Sequence, residues 1–184
     1  MGFLAAIQWL IVTLLSMYIL IVLLRFTLQL QRISFFNPLG QLALALTNQP
    51  LQYIRKFVPI YKGIDWSSFV FAYLLSLVMA GVQFHFAMNL LTWLLISLNQ
   101  CLGIWLNVYF YAMMGLVIFS WISPGHPLGA TFSQMVQPIL RPFQRLIPSI
   151  SGIDLSPIFG ILALKFVELF ILNQFTAFLL VQVN

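Results

Sequence analysis

Residues 2–24 carry no charged side chain, and Arg25 ends a run of 23 positions. A helix rises about 1.5 Å per residue, so such a run crosses a hydrocarbon core of about 30 Å. A chain that opens this way has few soluble folds available, and its composition removes the rest. Of 184 residues, 62% are hydrophobic and 6% charged, with a mean hydropathy of +1.03; soluble domains carry about a quarter charged residues. The run has no basic flank before it, no small-residue cleavage site after it, and exceeds a signal-peptide core. It therefore reads as a retained transmembrane helix. Gln29, Gln31 and Arg32 mark its exit into the headgroup region.

From 33 to 62 the texture changes, with prolines at 38, 50 and 59 and charge from Arg55, Lys56 and Lys62. Apolar sequence resumes at Ile64 and continues to about Ile122, too far for one span. Gln83, His85, Asn89, Asn99 and Gln100 gather at its softest point. This predicts two long, tilted helices joined between His85 and Gly103; a third span over 90–98 would be cramped. A second proline-rich stretch, 123–157, precedes a last apolar run over 156–183. The expected fold is an all-α membrane protein with four transmembrane helices, five being the alternative. Seven of the eight Lys/Arg lie in or beside the two linkers. Basic residues favour the cytoplasmic side, so four spans place both linkers in the cytoplasm and both termini on the outer side. Five spans would split the basic linkers between the two faces. The formal net charge of +5 then points to anionic lipid headgroups as partners, not to direct nucleic-acid binding. Cys101, the single cysteine, has no internal disulfide partner.

The two halves resemble one another. Asn37-Pro38-Leu39-Gly40 aligns with His126-Pro127-Leu128-Gly129, Pro59 with Pro148, and Gly63-Ile64-Asp65 with Gly152-Ile153-Asp154, all at one offset. Gln49-Pro50 aligns with Gln137-Pro138 one residue out of step. Each unit, 1–98 and 99–184, reads as a transmembrane helix, a Pro-rich amphipathic interfacial linker and a second transmembrane helix. An even number of spans per unit makes the tandem repeats parallel. These landmarks, with Ile153-Asp154-Leu155-Ser156-Pro157 and the run from Ile139 to Pro148, resemble the YggT family of bacterial membrane proteins, in its two-repeat Gram-negative type. Arg25-Phe26, Phe36-Asn37-Pro38 and Ser120-Trp121 fit the same pattern. Trp66-Ser67-Ser68 stands where the family's Ser-Pro step would fall in the first unit, and the second unit has no counterpart of Arg25. The resemblance implies the inner membrane. It also implies a link with cell division, envelope functions, assembly of membrane complexes, or osmotic and potassium homeostasis.

Three groups of residues are candidates for function. In the second linker, Phe132, Met135, Val136, Ile139, Leu140, Phe143, Leu146 and Ile147 recur at helical spacing, with Arg141 and Arg145 on another face. That is the pattern of an in-plane helix with its apolar side in the acyl boundary. Arg55 and Lys56 mark a weaker version in the first linker. The alternatives are a lipid-anchored collar and a docking surface for a partner; Pro138 and Pro142 should kink or restart the helix. Asp65 and Asp154 each follow a Gly-Ile step and precede a transmembrane helix. They, or Ser156 with Pro157 behind it, can cap free N–H groups; a cation site or a salt bridge to a linker arginine is the alternative. Lys165 and Glu168 lie inside the last span, three apart. Each charge there costs roughly 2.5–3.5 kcal/mol, so the two should pair. Either the pair fixes helix packing or it belongs to a pathway or relay. The matching positions of the first unit are Ser76 and Met79.

No catalytic triad, phosphate-binding loop or dinucleotide glycine pattern is present, and His85 and His126 stand without metal-ligand spacing. No enzyme activity, cofactor or metal is expected. The sequence therefore points to a non-catalytic scaffold or assembly factor, with membrane-protein partners or copies of itself. The alternative is a small oligomeric channel or transporter.

Overall fold

The computed structural model describes residues 2–58, 60–61, 63–85, 88–123, 125–146 and 154–181. They form helices and turns: α1 (Phe3–Leu30), α2 (Pro38–Ile54), α3 (Trp66–Phe84), α4 (Leu90–Ile122), α5 (Pro127–Leu146), α6 (Ser156–Phe166), a π-helical segment (Val167–Asn173) and α7 (Gln174–Val181). Among the described residues, four stretches are long and apolar enough to cross a membrane: Phe3–Leu30, Trp66–Phe84, Leu90–Ile122 and Ser156–Leu179. The chain is thus a multi-pass membrane protein by length and composition. At 33 residues, α4 extends about 50 Å and must tilt or protrude.

Local chemistry sets each boundary. Asn37 caps α2, its side chain accepting from the Gly40 N–H at 2.8 Å, and Pro38 occupies the first turn. Asn89 caps α4 in the same way through the Thr92 N–H. Between α3 and α4, His85 takes a left-handed conformation, φ 53°, which ends α3 within the expected window. Asn99 and Gln100, which read as part of that loop, instead lie inside α4, and α4 runs through the expected unit boundary at 98/99. Single-sequence hydropathy cannot separate a polar loop from a polar helix face.

Helices α1 and α3 pack antiparallel: the Gln8 amide near one end of α1 donates to the carbonyls of Val82 and Gln83 near the end of α3. At the other end, Phe26 of α1 sits among Trp66, Phe69 and Trp105, ring centroids 5.4–5.6 Å away. The Trp105 indole N–H donates to the Thr27 hydroxyl at 3.0 Å. This aromatic junction joins three spans. Two glycines set the approach of the second half: a Cβ at Gly115 would lie 2.6 Å from the Phe132 ring, and one at Gly160 would lie 3.0 Å from Met113 and 3.1 Å from Leu140. They bring α5 and α6 against α4.

The α5 stripe corrects one expectation. Met135, Val136 and Leu140 are buried in the same core as Val108, Ala112 and Met113 of α4, so much of the stripe expected in lipid covers α4. The helix also continues through Pro138 and Pro142, as α2 does through Pro50. Proline removes the donor to the carbonyl four residues back, freeing those of Gln134 and Pro138. Packing of the opposite face on α4 holds the helix together despite the two missing bonds.

Candidate functional site

At the linker end of the bundle, two aspartates each precede a spanning helix, Asp65 before α3 and Asp154 before α6. Asp65 caps α3: one carboxylate oxygen accepts from the Ser67 N–H at 3.2 Å and also from the Ser67 hydroxyl. The other oxygen takes the Arg55 guanidinium, Nε at 2.8 Å. Asp65 is 2% exposed. Behind it, the buried Arg25 of α1 donates from one nitrogen to Thr47 Oγ1 and Asn48 Oδ1, both at 2.8 Å, tying α1 to α2. Its Nε has no partner among the described residues. Burial pushes the Asp65 carboxyl up, but the Ser67 hydroxyl, the Arg55 contact and the charges of Arg55 and Arg25 outweigh it and hold it below the usual carboxylate range.

At Asp154 the contact is to a neutral side chain: the Gln144 amide donates to one carboxylate oxygen at 3.0 Å. The other Asp154 oxygen accepts from the Ser156 N–H at 2.8 Å. Here burial raises the carboxyl, while bonds from Ser156 and Gln144 lower it to a net value below the ordinary one. Asp154 is exposed, so this cap is wetter than that of Asp65. Ser156, the other expected cap, is instead the first residue of α6, its side chain buried beside the Asp154 carboxylate. The carboxylate reaches the free N–H from outside the helix, where a hydroxyl already wound into the first turn does not. Pro157 lies in that first turn, as expected. Gly63 turns the chain into Asp65 at φ +78°, a conformation that favours glycine. Pro59, Pro148 and Gly152 lie outside the described residues.

The basic residues divide. Arg55 is committed to Asp65, whereas Lys56, Arg141 and Arg145 are exposed, Lys56 lying 5.8 Å over the Tyr53 ring. Arg141, Gln134 and Gln137 of α5 and Gln31 beyond α1 line a polar hollow of about 390 Å³ at this end.

The second place lies toward the middle of the spans. Lys165 Nζ donates to Glu168 Oε2 at 2.6 Å, and the ammonium sits 4.4 Å over the Phe110 ring of α4. Just beyond Lys165, at Val167, the last span widens into the π-helical segment, which no residue pattern announces. Asn99 of α4 reaches across to it, donating to the Leu172 carbonyl at 2.9 Å and to the Thr176 hydroxyl at 2.5 Å. Between α1, α3, α4 and this segment is a cavity of about 280 Å³, its polar lining including Ser16, Gln83, Gln100, Asn107, Glu168 and Asn173. Sequence reading had the pair but missed the cavity, whose residues come from four separate stretches. The polar side chains inside apolar runs were the available signal. Among the described residues, no three His, Cys, Asp or Glu groups are placed to share a metal ion.

Residues 4–88 and 95–175 match the family model described as CCB3/YggT. The chain is 39% identical over 175 residues to an uncharacterized protein of Pseudomonas aeruginosa, covering 90% of this chain and 87% of that protein. It is 31% identical over 165 residues to the uncharacterized protein YggT of Escherichia coli, covering 88% and 86%. A third relative, an uncharacterized protein of Vibrio alginolyticus, is 32% identical over 168 residues, covering 86% and 89%. No solved structure matches.

Proposed function

Because the chain belongs to the CCB3/YggT family, we propose that it is a non-catalytic scaffold or assembly factor of the bacterial inner membrane, holding lipid headgroups or a membrane-protein partner at its linker end. The observation that carries this reading is the division of labour within α5. One face, with Met135, Val136 and Leu140, is consumed by packing on the bundle, while Arg141 and Arg145 remain exposed. A helix held this firmly has no need of arginines for its own folding, since exposed charges add little stability. Presented at headgroup level, they suit phosphates or an acidic partner surface. The positive-inside bias puts this end in the cytoplasm and both termini in the periplasm. The matching Arg55–Asp65 and Gln144–Asp154 contacts, each ten residues apart, support two parallel tandem units with Pro-containing linkers.

The test is cross-linking from the linkers in native membranes, followed by mass spectrometry. A stoichiometric partner that is lost in the Arg141→Glu, Arg145→Glu double variant supports the scaffold; unchanged partner capture and phenotype in that variant refute it. Labelling of a cysteine at position 60 from the periplasm, in a background lacking Cys101, would refute the sidedness. The second reading, passage of a small solute through an oligomer, is favoured by the polar side chains around Glu168. Solute flux in liposomes that disappears with Lys165→Leu, Glu168→Leu would support it.

A further inference from the structure

A second cavity, of about 490 Å³, lies where the end of α4, the linker helix α5 and the start of α6 meet. Its walls change character with depth. Ser120, Gln144 and Asp154 stand at the linker end, while Leu116, Val117 and Ile158 lie about a turn further along their helices. The polar groups are rich in acceptors. Ser120 gives its hydroxyl proton to the Val117 carbonyl at 2.7 Å, which leaves the oxygen able to accept. Each Asp154 oxygen accepts one bond, from Gln144 or from Ser156, and can take another. The charge balance differs from that at Asp65. There Arg55, ten residues earlier, supplies a cation; ten residues before Asp154 stands the neutral Gln144. Among the described residues, no Lys or Arg lines the cavity or acts on the Asp154 carboxyl, and residues 147–153 contain none. The last turn of α4, whose free carbonyls carry partial negative charge, has no basic residue either. An apolar cavity with an unanswered carboxylate at its mouth suits an amphiphile with a positive end.

We propose that this cavity holds one phospholipid whose headgroup ends in a primary amine, the ammonium meeting Asp154 and one acyl chain lying between α4 and α6. A primary ammonium has three N–H donors and no acceptor, which matches the oxygens of Asp154, Gln144 and Ser120. A quaternary ammonium has no N–H to give them. The apolar walls favour a lipid over a small free amine, because a headgroup alone would leave Leu116, Val117 and Ile158 uncovered, whereas a chain covers them. Trp121, which also lines the cavity and is exposed at the end of α4, is a residue type that concentrates at headgroup depth. That is the level at which the ammonium of a bilayer lipid already lies. The volume falls within the range of about 300–1,000 Å³ usual for small-molecule sites. It holds a headgroup and the top of one chain, with the remainder in the bilayer. The proposal deepens the linker-end reading, on which it rests for the membrane level of the site, but it uses residues apart from Arg141 and Arg145.

The experiment is native mass spectrometry of the purified full chain, titrated with phosphatidylethanolamine, phosphatidylcholine and phosphatidylglycerol of matched chains. The first two differ only in methylation of the nitrogen, so their ratio reads the N–H donors. Phosphatidylethanolamine should be retained about tenfold over phosphatidylcholine, the contribution of one hydrogen bond to a charged group. Asp154→Asn, which keeps the cap, should bring that ratio close to one. Asp154→Lys should reverse the order and favour phosphatidylglycerol. Ethanolamine in solution should not displace the lipid; displacement would put the affinity in the headgroup alone and overturn the assignment to a lipid. Equal retention of phosphatidylethanolamine and phosphatidylcholine by the wild type would overturn the proposal, as would a preference that survives Asp154→Asn. So would a partner protein joined to Asp154 in native membranes by a carboxyl-to-amine cross-linker, since a lysine of that partner would then fill the place of the lipid. Equal retention with partner capture intact would strike this site and leave the scaffold reading standing. Loss of partner capture with the lipid ratio intact would do the reverse.

Discussion

Replacing Asp65 by Asn removes one charge while keeping an oxygen that can still cap the Ser67 N–H, since Asn caps about as well as Asp. The equivalent change at Asp154 is chemically identical, so the pair of variants isolates environment. Breaking a buried ion pair costs about 3–5 kcal/mol, and an exposed one about 0–1 kcal/mol. The Asp65 side chain is 3% exposed and that of Arg55 is 35%, which places their pair between these limits, at about 2 kcal/mol. Asp65→Asn also leaves the buried Arg25 without the nearest carboxylate. Asp154 is exposed and bonded to a neutral amide, so Asp154→Asn should forfeit only the charge at the helix start, about 0.5 kcal/mol. The difference of about 1.5 kcal/mol is a little over tenfold in the unfolding equilibrium. Unfolding by SDS in mixed micelles, followed by tryptophan fluorescence, measures it, because Trp66 and Trp105 flank the Phe26 junction beside this motif. The pH dependence gives a second check. The folded protein holds the Asp65 carboxyl below its ordinary value of about 3.9. Its stabilisation is therefore complete above that value and is lost as pH falls through the lower folded-state value. The wild type should lose stability on acidification below about pH 4, and Asp65→Asn should lose less. Equal losses for the two variants, or identical acid profiles for wild type and Asp65→Asn, would show that Arg55 and Arg25 do not depend on this charge.

Two further substitutions probe the packing. Gly115→Ala puts a methyl 2.6 Å from the Phe132 ring, whereas Gly160→Ala meets the flexible end of Met113 at 3.0 Å. The first should therefore destabilise by about 1–3 kcal/mol and the second by less, measured by the same titration; the reverse order would mean that α5 moves more easily than Met113. Asn99→Leu removes both bonds from α4 to the last span. It should cost about 0.6–1.7 kcal/mol and speed amide exchange at Thr176 and Phe175; unchanged exchange would show that the π-helical segment holds itself open.

Much of this architecture was legible from the order of apolar runs and prolines. Four spans, the loop near His85 and the linkers carrying Arg55 and Arg141 follow from run length and proline placement, because the bilayer fixes how long an apolar helix must be. The Lys165–Glu168 pair was equally visible, since a charge inside an apolar run has few ways to be neutralised. Other features depend on neighbours far away in the chain. Arg25 read as the end of a span, yet it binds Thr47 and Asn48 of α2. Asn99 and Gln100 read as a loop, yet they face the last span and the cavity. The α5 stripe read as lipid-facing, yet it covers α4. Hydropathy measures whether a side chain avoids water. In a membrane protein, lipid and a protein core satisfy that preference equally well, so the pattern cannot tell them apart. The sequence by itself determined which segments leave water. Only the tertiary structure decided which apolar faces meet one another, and where the remaining polar groups converge.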